Sequence, residues 1–178
     1  ELRTAGCPFP NLPFYRDGDK FITQTHAVGL HIALKANQPD LLGKGFDVVR
    51  VRTVQGVLDD IFSGLDQVIG VPQNREEAVD LFNKKFESWK PIFEDLAKLL
   101  GSKKFIFGYT TLVDFQFAHY AGFARYLASE LKLNDPFAPY PTLAKLVKNT
   151  LKLPGVREFV KSKEDINRPW IGTARRKW

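Results

Sequence analysis

The residues best able to do chemistry gather near the start, in "PFPNLPFYRDGDKFITQTHAVGL" at positions 8–30. Gln24 and Thr25 open a helix there. The first backbone N–H groups of a helix lack intrahelical partners, and its positive dipole end favours a carboxylate. Upstream, Asn11-Leu12-Pro13 forms a corner. A corner and a helix start joined by a short hairpin make half of a small-molecule pocket. Taken singly, the corner reads as an ordinary turn and Thr25 as a plain helix cap.

Other chemistry is sparsely supplied. His26 and His31 are five residues apart, the wrong spacing for one helix face, and His119 is remote, so no metal site is expected. The acids show no paired arrangement near them. Cys7 is the one thiol, which excludes an intramolecular disulfide and agrees with a reducing compartment. Its simplest role is that of a small loop residue. Thr111 and Asp114 have the spacing of a structural capping box. The Thr hydroxyl would accept from the Asp114 N–H while the carboxylate reaches back to the Thr111 N–H.

The elements that must carry these groups are legible from periodicity. Asp17-Gly18 between apolar and aromatic residues predicts a hairpin with strands at 14–16 and 20–22. Thr23 or Thr25 can cap a helix running to about residue 36. "NQPDLLGKG" at 37–45 reads as a linker. Over 46–70, Val51, Val54, Leu58, Ile61, Leu65 and Val68 recur every three or four residues, as one helix face requires. A second helix is predicted over 75–100, with Pro91 expected to bend it. The segment 110–131 is apolar on nearly every side and is therefore central. Two shorter helices, 141–151 and 154–163, each begin at a proline suited to a first turn.

Composition bounds the class. At 178 residues, 44% apolar and 26% charged, the chain suits a globular protein. It has no apolar run of the length that spans a bilayer, so no transmembrane segment is expected. Residue 1 is Glu and Met is absent, so a natural start upstream is expected. The net charge of +6 is concentrated from Lys145 onward, where ten Lys and Arg face three acids. Such a segment could meet an acidic partner, an anionic membrane surface or nucleic acid. A solvated helix face ending in the tail "TARRKW" is the simpler reading. Nucleic-acid modules carry a reading motif beside their charge. None appears here, so no nucleic-acid partner is expected.

Four pieces in order resemble the soluble glutathione transferases, closest to the mu, pi and sigma classes. They are "FPNLPF", "DGDKFITQTHAV", "FIFGYTTLVDFQFAHY" and "PYPTLAKLVKNTLKLPGVREFVKSK". The resemblance covers nearly the whole chain and implies an α+β fold. Residues 1–36 would be part of a thioredoxin-like half-domain (hairpin plus helix), 37–45 the linker, and 46–178 the all-α C-terminal domain. About the first fifty residues of the family's first domain would be lacking.

The resemblance also implies a ligand, glutathione, whose thiolate is conjugated to electrophiles. Leu12-Pro13 would be cis, turning the Leu12 backbone N–H and C=O toward the cysteinyl backbone of glutathione as an added strand would. Asn11 would reach the glycine end. Gln24 and Thr25 would hold the γ-glutamyl carboxylate, with Thr25 standing where Ser is usual and His26 where Asn is common. Asp59 lies near the position from which the family sends an acid across a dimer interface to the γ-glutamyl amine. Asp60 is adjacent, and a solvated helix acid is the plainer alternative. Tyr109, Tyr120, Phe123 and Tyr126 could line a co-substrate pocket, although core packing is simpler.

In these classes a Tyr on the first strand-to-helix turn donates to the sulfur and favours the thiolate. That Tyr has no counterpart among these residues, and Tyr15 sits in a later strand. No catalytic residue is therefore expected in the chain. A hairpin alone is marginal in water and leaves a sticky edge. Residues 1–36 are thus expected to need missing strands or a partner chain. A homodimer in the cytosol, or in the mitochondrial matrix, suits an enzyme. The alternative is a non-catalytic accessory subunit of a larger assembly.

Overall fold

In the computed structural model the described residues are Arg3, Thr4, Gly6, Cys7 and 9–166; the tail "TARRKW" lies outside them. Strands β1 (Phe14–Asp17) and β2 (Lys20–Thr23) pair antiparallel, with Phe14 opposite Thr23 and Asp17 opposite Lys20. Each strand is one residue longer than the spacing predicts. The two turn positions are consequently Gly18 and Asp19 rather than Asp17 and Gly18. Gly18 takes φ 63° at the first of them, where a II′ turn requires glycine.

Helix α1 (Thr25–Lys35) follows directly. Asp17 anchors the hairpin to it, accepting from Lys35 and lying 3.2 Å from His31 Nε2. The Tyr15 ring packs on the same side, 5.3 Å from His31. The pairing with Lys35, then with His31, holds the Asp17 carboxyl below the usual carboxylate range. The stretch read as linker contains a single 3-10 turn, Pro39–Leu42, followed by Gly43 at φ 106°. The Tyr109 hydroxyl pins its end, accepting from the Lys44 N–H at 2.8 Å and donating to Asp47 at 2.9 Å.

Five further helices complete the fold: α2 (Asp47–Gly70), α3 (Arg75–Leu100), α4 (Leu112–Glu130), α5 (Pro141–Leu151) and α6 (Pro154–Phe159), with a terminal turn α7 (Lys163–Ile166). The expected helix over 154–163 breaks at Val160, so α6 is the shorter. The predicted α2 face from Val51 to Val68 is buried throughout. Helix α3 runs through Pro91 without interruption. Helix α4 packs on both α2 and α5 and buries a broad face from Val113 to Ala128. Phe115, His119, Gly122, Arg125 and Ser129 form an unburied face, so it is central without being buried on nearly every side. No described helix is long and apolar enough to cross a membrane.

An aromatic cluster centres on Phe93, which is 1% exposed. Phe137 and Tyr140 approach it at 5.3 Å from the connection between α4 and α5. Arg125 steadies that connection, its Nε–H shared between the two carboxylate oxygens of Asp135 at 3.0 and 3.1 Å.

Helices α2 and α3 meet closely at Gly64. A Cβ there would lie 2.3 Å from the Trp89 ring. That ring is wedged edge-on against Phe86 and Phe93 and cannot step aside. Gly to Ala in a helix ordinarily gains about 1 kcal/mol, whereas overpacking a core costs about 1–3 kcal/mol. The rigid neighbour decides the sign. Gly64→Ala is expected to lower the urea unfolding midpoint, corresponding to a net loss of about 1–2 kcal/mol.

Candidate functional site

The hairpin register builds the site. Because Phe14 pairs with Thr23, the residues just outside the pair, Pro13 and Gln24, come together at the open end. A corner and a helix start separated by ten residues of chain thus become neighbours. The Leu12-Pro13 bond is cis. The Leu12 N–H is taken by the Asn11 side-chain oxygen at 2.9 Å. The two groups assigned to ligand recognition therefore satisfy each other in the free chain, and a ligand at Leu12 must exchange that bond for its own. Leu12 is 75% exposed, so among the described residues this corner is open.

Neither Thr23 nor Thr25 caps α1. The N-cap position belongs to Gln24, whose side chain makes no capping hydrogen bond. Gln24 adopts φ 75° and ψ 126°, a sparsely populated region for a residue with a Cβ. Such strain costs of order 1–3 kcal/mol and concentrates at functional sites. Its effect here is to bring β2 straight into α1 with the helix N-terminus unblocked. Thr25 is the first helical residue and offers a hydroxyl at that opening.

Asp59 joins this end through α2. Of the two adjacent acids, Asp60 is exposed and Asp59 turns toward α1. Its Oδ2 lies 2.5 Å from His26 Nε2, one residue past Thr25. Its Oδ1 accepts from the Gln116 amide at 2.8 Å and lies 3.5 Å from the Tyr120 hydroxyl. Burial pushes the Tyr120 phenol above its ordinary value, and its ring stacks on Phe62 at 4.7 Å. Gln55 Nε2 approaches His26 Nδ1 at 3.1 Å. Gln55, Gln116 and Tyr120 carry no sequence signal for this role. The i to i+4 step from Gln116 to Tyr120 is the only hint, and it reads equally as helix surface.

His26 and His31 sit on different carboxylates, His26 on Asp59 and His31 on Asp17. Among the described residues no three His, Cys, Asp or Glu converge as a metal site would need. Cys7 is buried at 1% exposure rather than lying open in its loop.

Thr111 and Asp114 act in structure rather than at this site. Both arms of the capping box form. The Asp114 carboxylate accepts from the Thr111 N–H at 2.7 Å and, beyond the motif, from the Ile106 N–H at 2.9 Å.

Among the described residues, a cavity of about 540 Å³ lies between α3 and residues 133–140 and one of about 630 Å³ among α4, α5 and α6. Neither is lined by the corner, Gln24, Thr25 or Asp59. The four candidate pocket aromatics do not line them either. Tyr120 and Phe123 are buried in the core, and the Tyr109 hydroxyl is spent on the linker.

With this geometry in view, residues 59–163 match the family described as "Glutathione S-transferase, C-terminal domain". A glutathione S-transferase of Tyrophagus putrescentiae is 29% identical over 170 residues, covering 92% of this chain and 71% of that protein. The glutathione S-transferase class-mu 26 kDa isozyme of Schistosoma mansoni is 29% identical over 168 residues, covering 94% of this chain and 72% of its own length. Among solved structures, the glutathione S-transferase Blo t 8 superposes with a TM-score of 0.80 at 20% identity. That match covers 98% of this chain and 78% of Blo t 8, and it shows a shared fold.

Proposed function

Since the chain belongs to the glutathione S-transferase family, matching its C-terminal domain over residues 59–163, we propose that it binds glutathione between the corner at 11–13 and the start of α1. The carrying observation is the left-handed Gln24 before an uncapped helix end. Its backbone N–H groups, with the Gln24 amide and Thr25 hydroxyl, suit the γ-glutamyl carboxylate. Leu12 then pairs with the cysteinyl backbone once Asn11 releases its N–H, and Asn11 turns to the glycine end. Pro13 keeps the corner beside Gln24. Asp59, held by His26 of its own chain, supplies a negative charge across a homodimer interface to the γ-glutamyl amine of the ligand bound by the partner subunit. Exposed Phe46, Val48 and Val49 at the start of α2 supply apolar surface for such pairing. The division at 1–36, 37–45 and 46–178 follows the same plan, with glutathione held mainly by the first unit.

Titration calorimetry of the 178-residue chain with glutathione tests this. Saturable binding is expected, weakened about tenfold in Thr25→Ala, the value of one charge-assisted hydrogen bond. Absence of heat at millimolar glutathione would sink the proposal.

A second reading is favoured by one observation. Among the described residues β1 pairs only with β2, which leaves its other edge unpaired, and Phe9, Leu12 and Phe14 beside it are exposed. A partner chain that adds a strand there would make the protein a non-catalytic accessory subunit. Hydrogen exchange on the isolated chain bears on it. The amides of β1 and β2 are expected to exchange far faster than those of α4. Protection of the hairpin equal to that of α4 would remove the need for a covering partner.

A further inference from the structure

We propose that His26 and Gln116 are positioning residues that hold the Asp59 carboxylate ready for the amine of a γ-glutamyl ligand; this rests on the glutathione-binding proposal above. A carboxylate has about four lone-pair sites. His26 takes one on Oδ2, and Gln116 takes one on Oδ1 with the Tyr120 hydroxyl at the limit of range beside it. The Asp59 side chain remains 44% exposed, so acceptor capacity is left facing solvent. The rotor is fixed and one edge is open, which is what preorganised recognition of an ammonium requires.

The direction of each bond is set from farther out. Arg52 donates to Gln55 Oε1 at 2.7 Å, which turns the Gln55 Nε2 toward His26 Nδ1. Nδ1 is thereby an acceptor, so a neutral His26 carries its proton on Nε2 and donates it to Asp59. Gln116 is committed in the same way. Only its Nε2 can face a carboxylate, and its Oε1 is buried with no partner among the described residues. An amide retained at that cost is better explained by the carboxylate it holds than by packing. The two side chains come from α1 and α4 and meet Asp59 on α2, so one charged atom pair is set by three helices.

The test compares glutathione with its desamino analogue, which lacks only the γ-glutamyl amine, by calorimetry. Wild type, His26→Ala, His26→Gln, Gln116→Leu and Asp59→Asn are each checked for an unchanged thermal melt. Wild type is expected to prefer glutathione about tenfold, the value of a charge-assisted bond. Asp59→Asn is expected to abolish the preference. His26→Ala and Gln116→Leu should reduce it to about twofold without changing affinity for the analogue, and His26→Gln, which keeps a donor, should restore it. Full preference in His26→Ala and Gln116→Leu overturns the inference. So does an equal loss for both ligands, which marks a merely structural role. If wild type binds both ligands equally, the amine contact is wrong while glutathione binding stands. If it binds neither, both proposals fall.

Discussion

Asp114→Ala is expected to lower the thermal midpoint by about 9 °C, a loss of about 3 kcal/mol for a chain of this length. Asp114 is fully buried at the head of the central helix, and its two oxygens serve the N–H groups of Ile106 and Thr111 and the Thr111 hydroxyl. Losing the cap alone costs about 1 kcal/mol. Each buried N–H left without an acceptor adds about 1–3 kcal/mol. Against these, the variant is relieved of a buried charge. Burial raises the Asp114 carboxyl above its ordinary value, even though the backbone N–H groups of Ile106 and Thr111 pull it down. The sign follows from that direction. A carboxyl whose folded value is raised contributes most below its unfolded value, near 3.8, and that contribution is lost as pH rises through the folded value. Asp114→Asn, which cannot titrate, should flatten the stability profile over that window and keep one acceptor. A melt of Asp114→Ala within a degree or two of wild type would show that the N–H groups find other partners.

The second large effect concerns turnover. The 178-residue chain is expected to conjugate glutathione to an electrophile such as a chloronitrobenzene no faster than glutathione alone. A thiol with a pKa of about 8.5 is only about 1% thiolate at pH 6.5. A donor aimed at the sulfur that brought its pKa to the working pH would raise the thiolate about fifty-fold. The hydroxyls and rings of Tyr15, Tyr109 and Tyr120 are engaged elsewhere. The Tyr15 ring packs on His31 and Lys35, along α1 and away from Gln24. The Tyr109 hydroxyl is bound to Lys44 and Asp47, and that of Tyr120 lies against Gln116 and Asp59. Stopped-time spectrophotometry against a protein-free control measures the ratio. A rate fifty-fold above that control would mean that the chain holds its own sulfur activator.

Periodicity marked the long helices, because burying one face leaves a trace every three or four residues. Val51 to Val68 on α2 is the clearest case, and the broad buried face of α4 is another. The capping box and the hairpin were equally legible, being local: the partners lie within a few residues and backbone sterics dictate them. The same locality explains the small errors. Which two residues form the hairpin turn depends on where the strand ladder ends, and whether Thr25 caps α1 depends on the φ of Gln24. Neither is written in residue type. The polar cluster around Asp59 was decided wholly in three dimensions. His26, Gln55, Asp59, Gln116 and Tyr120 lie on three helices, and ordinary glutamines acquire direction only when packing sets them against a charge. Phe137 and Tyr140 likewise look like loop residues until Phe93 is seen between them. Short-range sterics are carried by neighbours in sequence, whereas hydrogen-bond direction and close contact belong to neighbours in space.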